Sequence, residues 1–120
     1  MNPATCPVWI GGQWSRLSDL PTTPVHNPST GDVIAETPLC TAKEVDDAVE
    51  AAAAAFPAWW ETPPTDRARV LFRFKALLEE SFEELVLSNT REHGKTLGES
   101  RGDVKRGIEM VEFACGVPSL

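Results

Sequence analysis

The residue whose chemistry stands out is Arg106, in the run Gly102-Asp103-Val104-Lys105-Arg106-Gly107. A planar guanidinium grips a carboxylate through paired, charge-assisted hydrogen bonds, so such a residue suits a small acid that carries a second reactive group. On spacing alone the plainer account is a solvated helix cation, paired with Asp103 or Glu109 three residues away.

Cys115 has the element for nucleophilic attack but no His, Asn or Asp arrangement to activate it, and reads as a small buried hydrophobe. Cys6 and Cys40 are no better placed. The three cysteines are widely spaced, without a Cys-x-x-Cys pair, and only His26 and His93 could complete a metal site, so zinc and disulfides are not expected. Lys95 lies in a Gly-Lys-Thr string, but a phosphate loop needs an earlier glycine and a preceding strand, where Asn89 to His93 continue a helix. His93 suits the last turn of that helix, where a positive charge meets the macrodipole. Asp46, Asp47, Glu79, Glu80, Glu83 and Glu84 read as solvated faces rather than a converging carboxylate pair. No catalytic, cofactor-binding or metal-ligating residue is therefore assigned from residue types.

The chain has 120 residues, 42% apolar and 24% charged, which suits one small domain. Its net charge of -7 argues against nucleic acid or an anionic membrane surface as partner. Without a long apolar run or a basic-then-apolar leader, the expected compartment is the cytoplasm.

Residues 1–7 lack periodicity and hold two prolines, and are expected to form a flexible arm. Val8-Trp9-Ile10 and Gln13-Trp14-Ser15 flank Gly11-Gly12, a β-hairpin signal, and a second extended pair surrounds Asn27-Pro28-Ser29-Thr30-Gly31-Asp32. Thr41-Ala42-Lys43-Glu44 matches a capping box, and Val45, Ala48, Val49, Ala52 and Phe56 follow at helical spacing until Pro57 ends or kinks the helix. Trp59 and Trp60 are expected to lie over an apolar surface. A second helical region opens after Pro63-Pro64 and runs toward His93 with a break near Ser81, Gly94 follows it, and a third spans about Glu99 to Cys115. The reading is α/β: β-hairpin segments followed by three helical regions. These helices carry more large apolar groups, among them Trp59, Trp60, Phe72, Phe74, Phe82 and Phe113, than such a layer buries, so a partner surface is missing.

Five blocks in register carry a resemblance: Trp9-Ile10-Gly11-Gly12-Gln13-Trp14, Asn27 to Gly31, Ala54 to Trp59, Arg67 with Leu71, and Glu92-His93-Gly94-Lys95-Thr96. Together they resemble the N-terminal segment of the aldehyde dehydrogenase superfamily. Gly102 to Gly107 with Val111 to Leu120 is similar to the acylating methylmalonate-semialdehyde dehydrogenases within it.

The resemblance implies that residues 8–120 are an incomplete N-terminal part of an NAD-binding domain, with the Rossmann core missing. Such enzymes bind NAD, attack the aldehyde with a cysteine far downstream, and in this subfamily pass the acyl group to coenzyme A. NAD and coenzyme A would belong to the full-length enzyme, and this segment alone would bind neither and be inactive. Its partners would be the remainder of the dehydrogenase chain and a small aldehyde-acid substrate, within a full-length homo-oligomer. The resemblance gives Arg106 the substrate-binding role, holding the carboxylate, against the helix-cation account above. The alternative to the clipped enzyme is a truncated, non-catalytic remnant acting as an interaction module, and a further one is an unrelated helical adaptor.

Overall fold

A computed structural model describes residues 4–119. Two compact units divide near Ala58.

In the first unit, β1 (Val8–Ile10) and β2 (Gln13–Ser15) form the antiparallel hairpin expected from Gly11-Gly12. Both glycines have positive φ, 60° and 80°, the geometry a two-residue hairpin turn requires. Trp9 pairs with Trp14, their rings edge to face at 5.0 Å. A second hairpin joins β3 (Thr22–His26) to β4 (Val33–Pro38), its turn tied by Asn27, whose carbonyl accepts from Thr30 and Gly31. Within the expected arm, residues 1–3 lie outside the described residues. Thr5 pairs in parallel with Glu36, the Cys6 N–H donating to the Glu36 carbonyl at 2.7 Å.

Helix α1 spans Ala42–Glu61. Half of the Thr41 box forms: the Glu44 carboxylate accepts from the Thr41 N–H at 2.8 Å, while the threonine hydroxyl oxygen accepts from the Lys43 backbone N–H at 3.3 Å rather than from that of Glu44. Of the two expected effects of Pro57, ending the helix does not occur: α1 continues through it to Glu61. The missing N–H and the crowding of the Ala53 carbonyl cost about 3 kcal/mol in a helix interior. The alanines on its N-terminal side, the best helix formers, favour continuation. Trp59 and Trp60, expected to lie over an apolar surface, are 47% and 70% exposed.

The second unit is helical. The long region after Pro63 divides at Ser81, as its pattern suggested, into α2 (Pro64–Glu80) and α3 (Phe82–His93), so the described residues form four α-helices rather than three. Gly94 takes φ 77° after His93, and its N–H donates to the Thr90 carbonyl at 2.9 Å. Helix α4 (Leu97–Cys115) starts two residues before the expected Glu99, because Thr96 and Glu99 form a complete capping box. A 3-10 turn, Val117–Ser119, follows. Helix α4 packs on both α2 and α3. No helix among the described residues is long and apolar enough to cross a membrane.

Little of this is shielded from water. Among the described residues the buried apolar side chains are Pro38 on β4, Ala68 on α2, Val86 on α3, and Ile108 and Cys115 on α4, while all four tryptophans and Phe56, Phe72, Phe74 and Phe113 are exposed. The surplus expected from the sequence is therefore present as open surface. Val86 is fully buried, so Val86→Ala should lower the unfolding free energy by about 2 kcal/mol in urea titration, from lost transfer and the cavity left behind. The isolated chain should also bind a hydrophobic dye and associate as concentration rises, and a dye-silent monomer would contradict the exposed surface.

Candidate functional site

Arg106 lies on the exposed side of α4, its side chain 70% accessible. One contact holds it: Nη2 donates to Asp103 Oδ1, the i−3 pair that helical spacing allows. Asp103 is shared. Its other oxygen accepts from Lys95 Nζ, so one carboxylate sits between two cations, with Asn89 as a further hydrogen-bonding neighbour. The three charged groups sum to one positive charge, and Arg106 Nε and Nη1 are not engaged by any described residue.

Several local features set this arrangement. Gly94 turns the chain after α3, and the Thr96 box then starts α4 one residue beyond Lys95. Glu83 on α3 grips Arg101 through both oxygens, at 3.0 Å to Nε and 2.9 Å to Nη2. Thr90 donates to the buried Ser100 hydroxyl at 2.8 Å. Together these bonds join α3 to α4 beside the cluster, which limits how far the arginine's backbone can drift. The helical pattern had left Lys95 without a role because its partner is eight residues ahead, beyond a turn. The Thr96-Leu97-Gly98-Glu99 spacing was the available signal that α4 begins next to it.

The other candidates remain apart. Cys115 is buried and Cys40 exposed, and all three cysteines are free thiols. His93 closes α3 as expected. Among the described residues no group of three or more His, Cys, Asp or Glu converges as a metal site would. A dinucleotide cradle needs a parallel strand feeding a helix N-terminus, whereas these strands form antiparallel hairpins and the Thr96 cap is already satisfied by Glu99. Among the described residues no parallel strand feeds a helix N-terminus in the way a nicotinamide dinucleotide requires.

Two grooves open beside these helices. One of about 550 Å³ has Phe74, Leu85, Val104 and Ile108 in its walls, with Asn89 and Asp103 among its polar lining. The other, about 520 Å³, is lined by apolar residues of the α2 and α4 ends together with Arg67, whose Nε is inaccessible to solvent and has no hydrogen-bond partner. Periodicity contains no sign of that orphaned donor.

The hydrogen bond from Lys95, then the Lys95 and Arg106 charges, hold the Asp103 carboxyl below the usual carboxylate range against partial desolvation. Hydrogen bonds from Arg101 and from Thr96 do the same for Glu83 and Glu99. Folded, these groups bind protons less readily than unfolded, so their contribution is complete above the unfolded pKa of about 4 and disappears as pH falls through the lower folded values. Helix circular dichroism should show the second unit losing stability from about pH 5 downward. Asp103→Asn should lower stability at neutral pH and flatten that slope, and an unchanged slope would contradict the ion-pair account.

Comparison with known proteins places this geometry. Residues 14–119 match the sequence pattern of the aldehyde dehydrogenase family. A malonate-semialdehyde dehydrogenase of Bacillus pumilus is 49% identical over 112 residues, covering 93% of this chain and 23% of that protein. The crystal structure of a methylmalonate-semialdehyde dehydrogenase from Oceanimonas doudoroffii superposes with a TM-score of 0.90 at 41% identity, over 98% of this chain and 24% of the other. A mutant aldehyde dehydrogenase C of Pseudomonas syringae, solved with NAD+ and octanal, gives 0.89 at 34% identity, over 93% and 23%. The chain thus spans about a quarter of the length of these relatives.

Proposed function

The chain belongs to the aldehyde dehydrogenase family, and from that premise we propose that it is the N-terminal segment of an NAD-dependent, coenzyme A-acylating semialdehyde dehydrogenase. The substrates in this reading are malonate and methylmalonate semialdehyde, which yield acetyl-CoA and propionyl-CoA with NADH, the carboxylate of each leaving as carbon dioxide. The segment supplies scaffold and one substrate contact, and is inactive alone. NAD accepts hydride and coenzyme A accepts the acyl group at sites built by residues beyond this segment, in a cytoplasmic homo-oligomer.

The observation that carries the reading is Arg106. Its guanidinium is exposed, fixed at Nη2 by Asp103, and keeps Nε and Nη1 for a further acceptor. Asp103 is occupied on its other side by Lys95, so the cluster keeps a positive excess that an incoming carboxylate can offset. Relatives named for two semialdehydes that carry such a carboxylate are close to half identical to the chain. The unpartnered apolar faces fit the same account, since the remaining three quarters of such an enzyme would lie against them.

The test replaces the matching segment of the Bacillus pumilus enzyme with this chain and assays malonate semialdehyde with NAD+ and coenzyme A. The chimera should turn over and the isolated chain should not; turnover by the chain alone would overturn its scaffold role. Arg106→Leu in the chimera should lower kcat/KM for acid semialdehydes about 10–100-fold, the equivalent of one charged hydrogen bond of about 1.5–3 kcal/mol, and spare neutral aldehydes. Equal losses for both classes would make Arg106 a structural residue.

A further inference from the structure

Arg67 is set apart from the other arginines of the chain. Arg69, Arg101 and Arg106 each pair with a carboxylate, and Arg16, Arg73 and Arg91 stand in solvent. Arg67 is partly buried on α2, its Nε is sealed from water without an acceptor, and no described carboxylate pairs with it. A guanidinium cannot shed its proton to relieve that position, so the relief has to be an oxygen acceptor. In an acidic chain with 18 carboxylates, none lines the 520 Å³ groove in which Arg67 lies. The rest of that groove is apolar: Trp59 and Leu71 on one side, Ala114, Val117 and Pro118 on the other.

We propose that this groove seats a segment of the polypeptide that follows the matched region in full-length relatives, and that the segment brings an Asp or Glu carboxylate to Arg67 on an apolar stretch of chain. The inference rests on the reading of the chain as an N-terminal segment and adds to it a definite seat and a charge. Two features select this occupant. The matched relatives carry about three quarters of their length beyond what this chain covers, which provides an occupant of the right size. The combination of a partly buried guanidinium, its Nε inaccessible and without an acceptor, with apolar walls selects for a carboxylate on a nonpolar segment rather than a wholly apolar or a cationic one. Arg67 is thus a docking residue, remote from Arg106 in role: it holds the segment to its body and touches no substrate.

The experiment pairs this 120-residue chain with the body of the Bacillus pumilus enzyme from which the matching 112 residues are removed, the two co-expressed and their affinity then titrated. Arg67→Met should weaken association about 10-fold or more, as loss of one charged hydrogen bond requires, with Arg67→Gln as a second variant that keeps a donor but no charge. In the isolated chain Arg67→Met should raise the urea midpoint, because the unsatisfied donor is gone and the apolar stem is kept. Wild-type association with equal binding by both variants would overturn this inference alone. Failure of the wild-type chain to associate would overturn the N-terminal-segment reading with it. A lower urea midpoint for the isolated variant would show that Arg67 is already compensated within the chain, and loss of self-association in Arg67→Met would assign the groove to a second copy. Either result would overturn the proposal.

Discussion

Three helices, α2, α3 and α4, meet over a floor made of Ala68, Val86, Ile108 and Cys115, and that floor is small for the apolar groups the same helices carry. Burial of nonpolar surface is the main favourable term in folding, at roughly 25 cal/mol per Å². Phe72, Phe74, Phe113 and Trp60 each stand about half or more exposed, so that term is largely unrealised in the second unit as it stands. Those faces remain open among the described residues, and the matched relatives are about four times as long as this chain.

With so small a core, directional bonds take a larger part in fixing the helices. Glu83 with Arg101, Thr90 with Ser100, and Lys95 with Asp103 all connect α3, or the turn after it, to α4. The Glu83–Arg101 pair is solvated and weak singly, the other two are part-buried, and all three connect to the one helix α4. Their seam ends in Asp103 and its hold on Arg106. One carboxylate thus serves both the α3–α4 seam and the hold on Arg106, and the position of the arginine follows from the way α4 is started and stitched.

The two arginines illustrate different uses of one side chain. Arg106 is neutralised on one edge and open on the other, which suits a ligand that arrives and leaves. Arg67 is partly withdrawn from water, with its Nε inaccessible and unanswered by any described residue. Exposure separates them, and exposure depends on what the neighbouring helices cover.

Much of the local structure was legible in the sequence. Gly11-Gly12 and the Asn27 to Asp32 turn allow few backbone paths, the Thr41 box and Gly94 satisfy helix ends within one turn, and the break at Ser81 falls where the apolar stripe shifts. Those features depend on interactions a few residues long, so residue types at fixed spacing determine them. The passage of α1 through Pro57 was not legible, because one proline's penalty is weighed against the whole helix around it. Nor were the sharing of Asp103 by Lys95 and Arg106, or the sealed Nε of Arg67: these depend on the angle at which α4 crosses its neighbours, and only packing in three dimensions sets that angle.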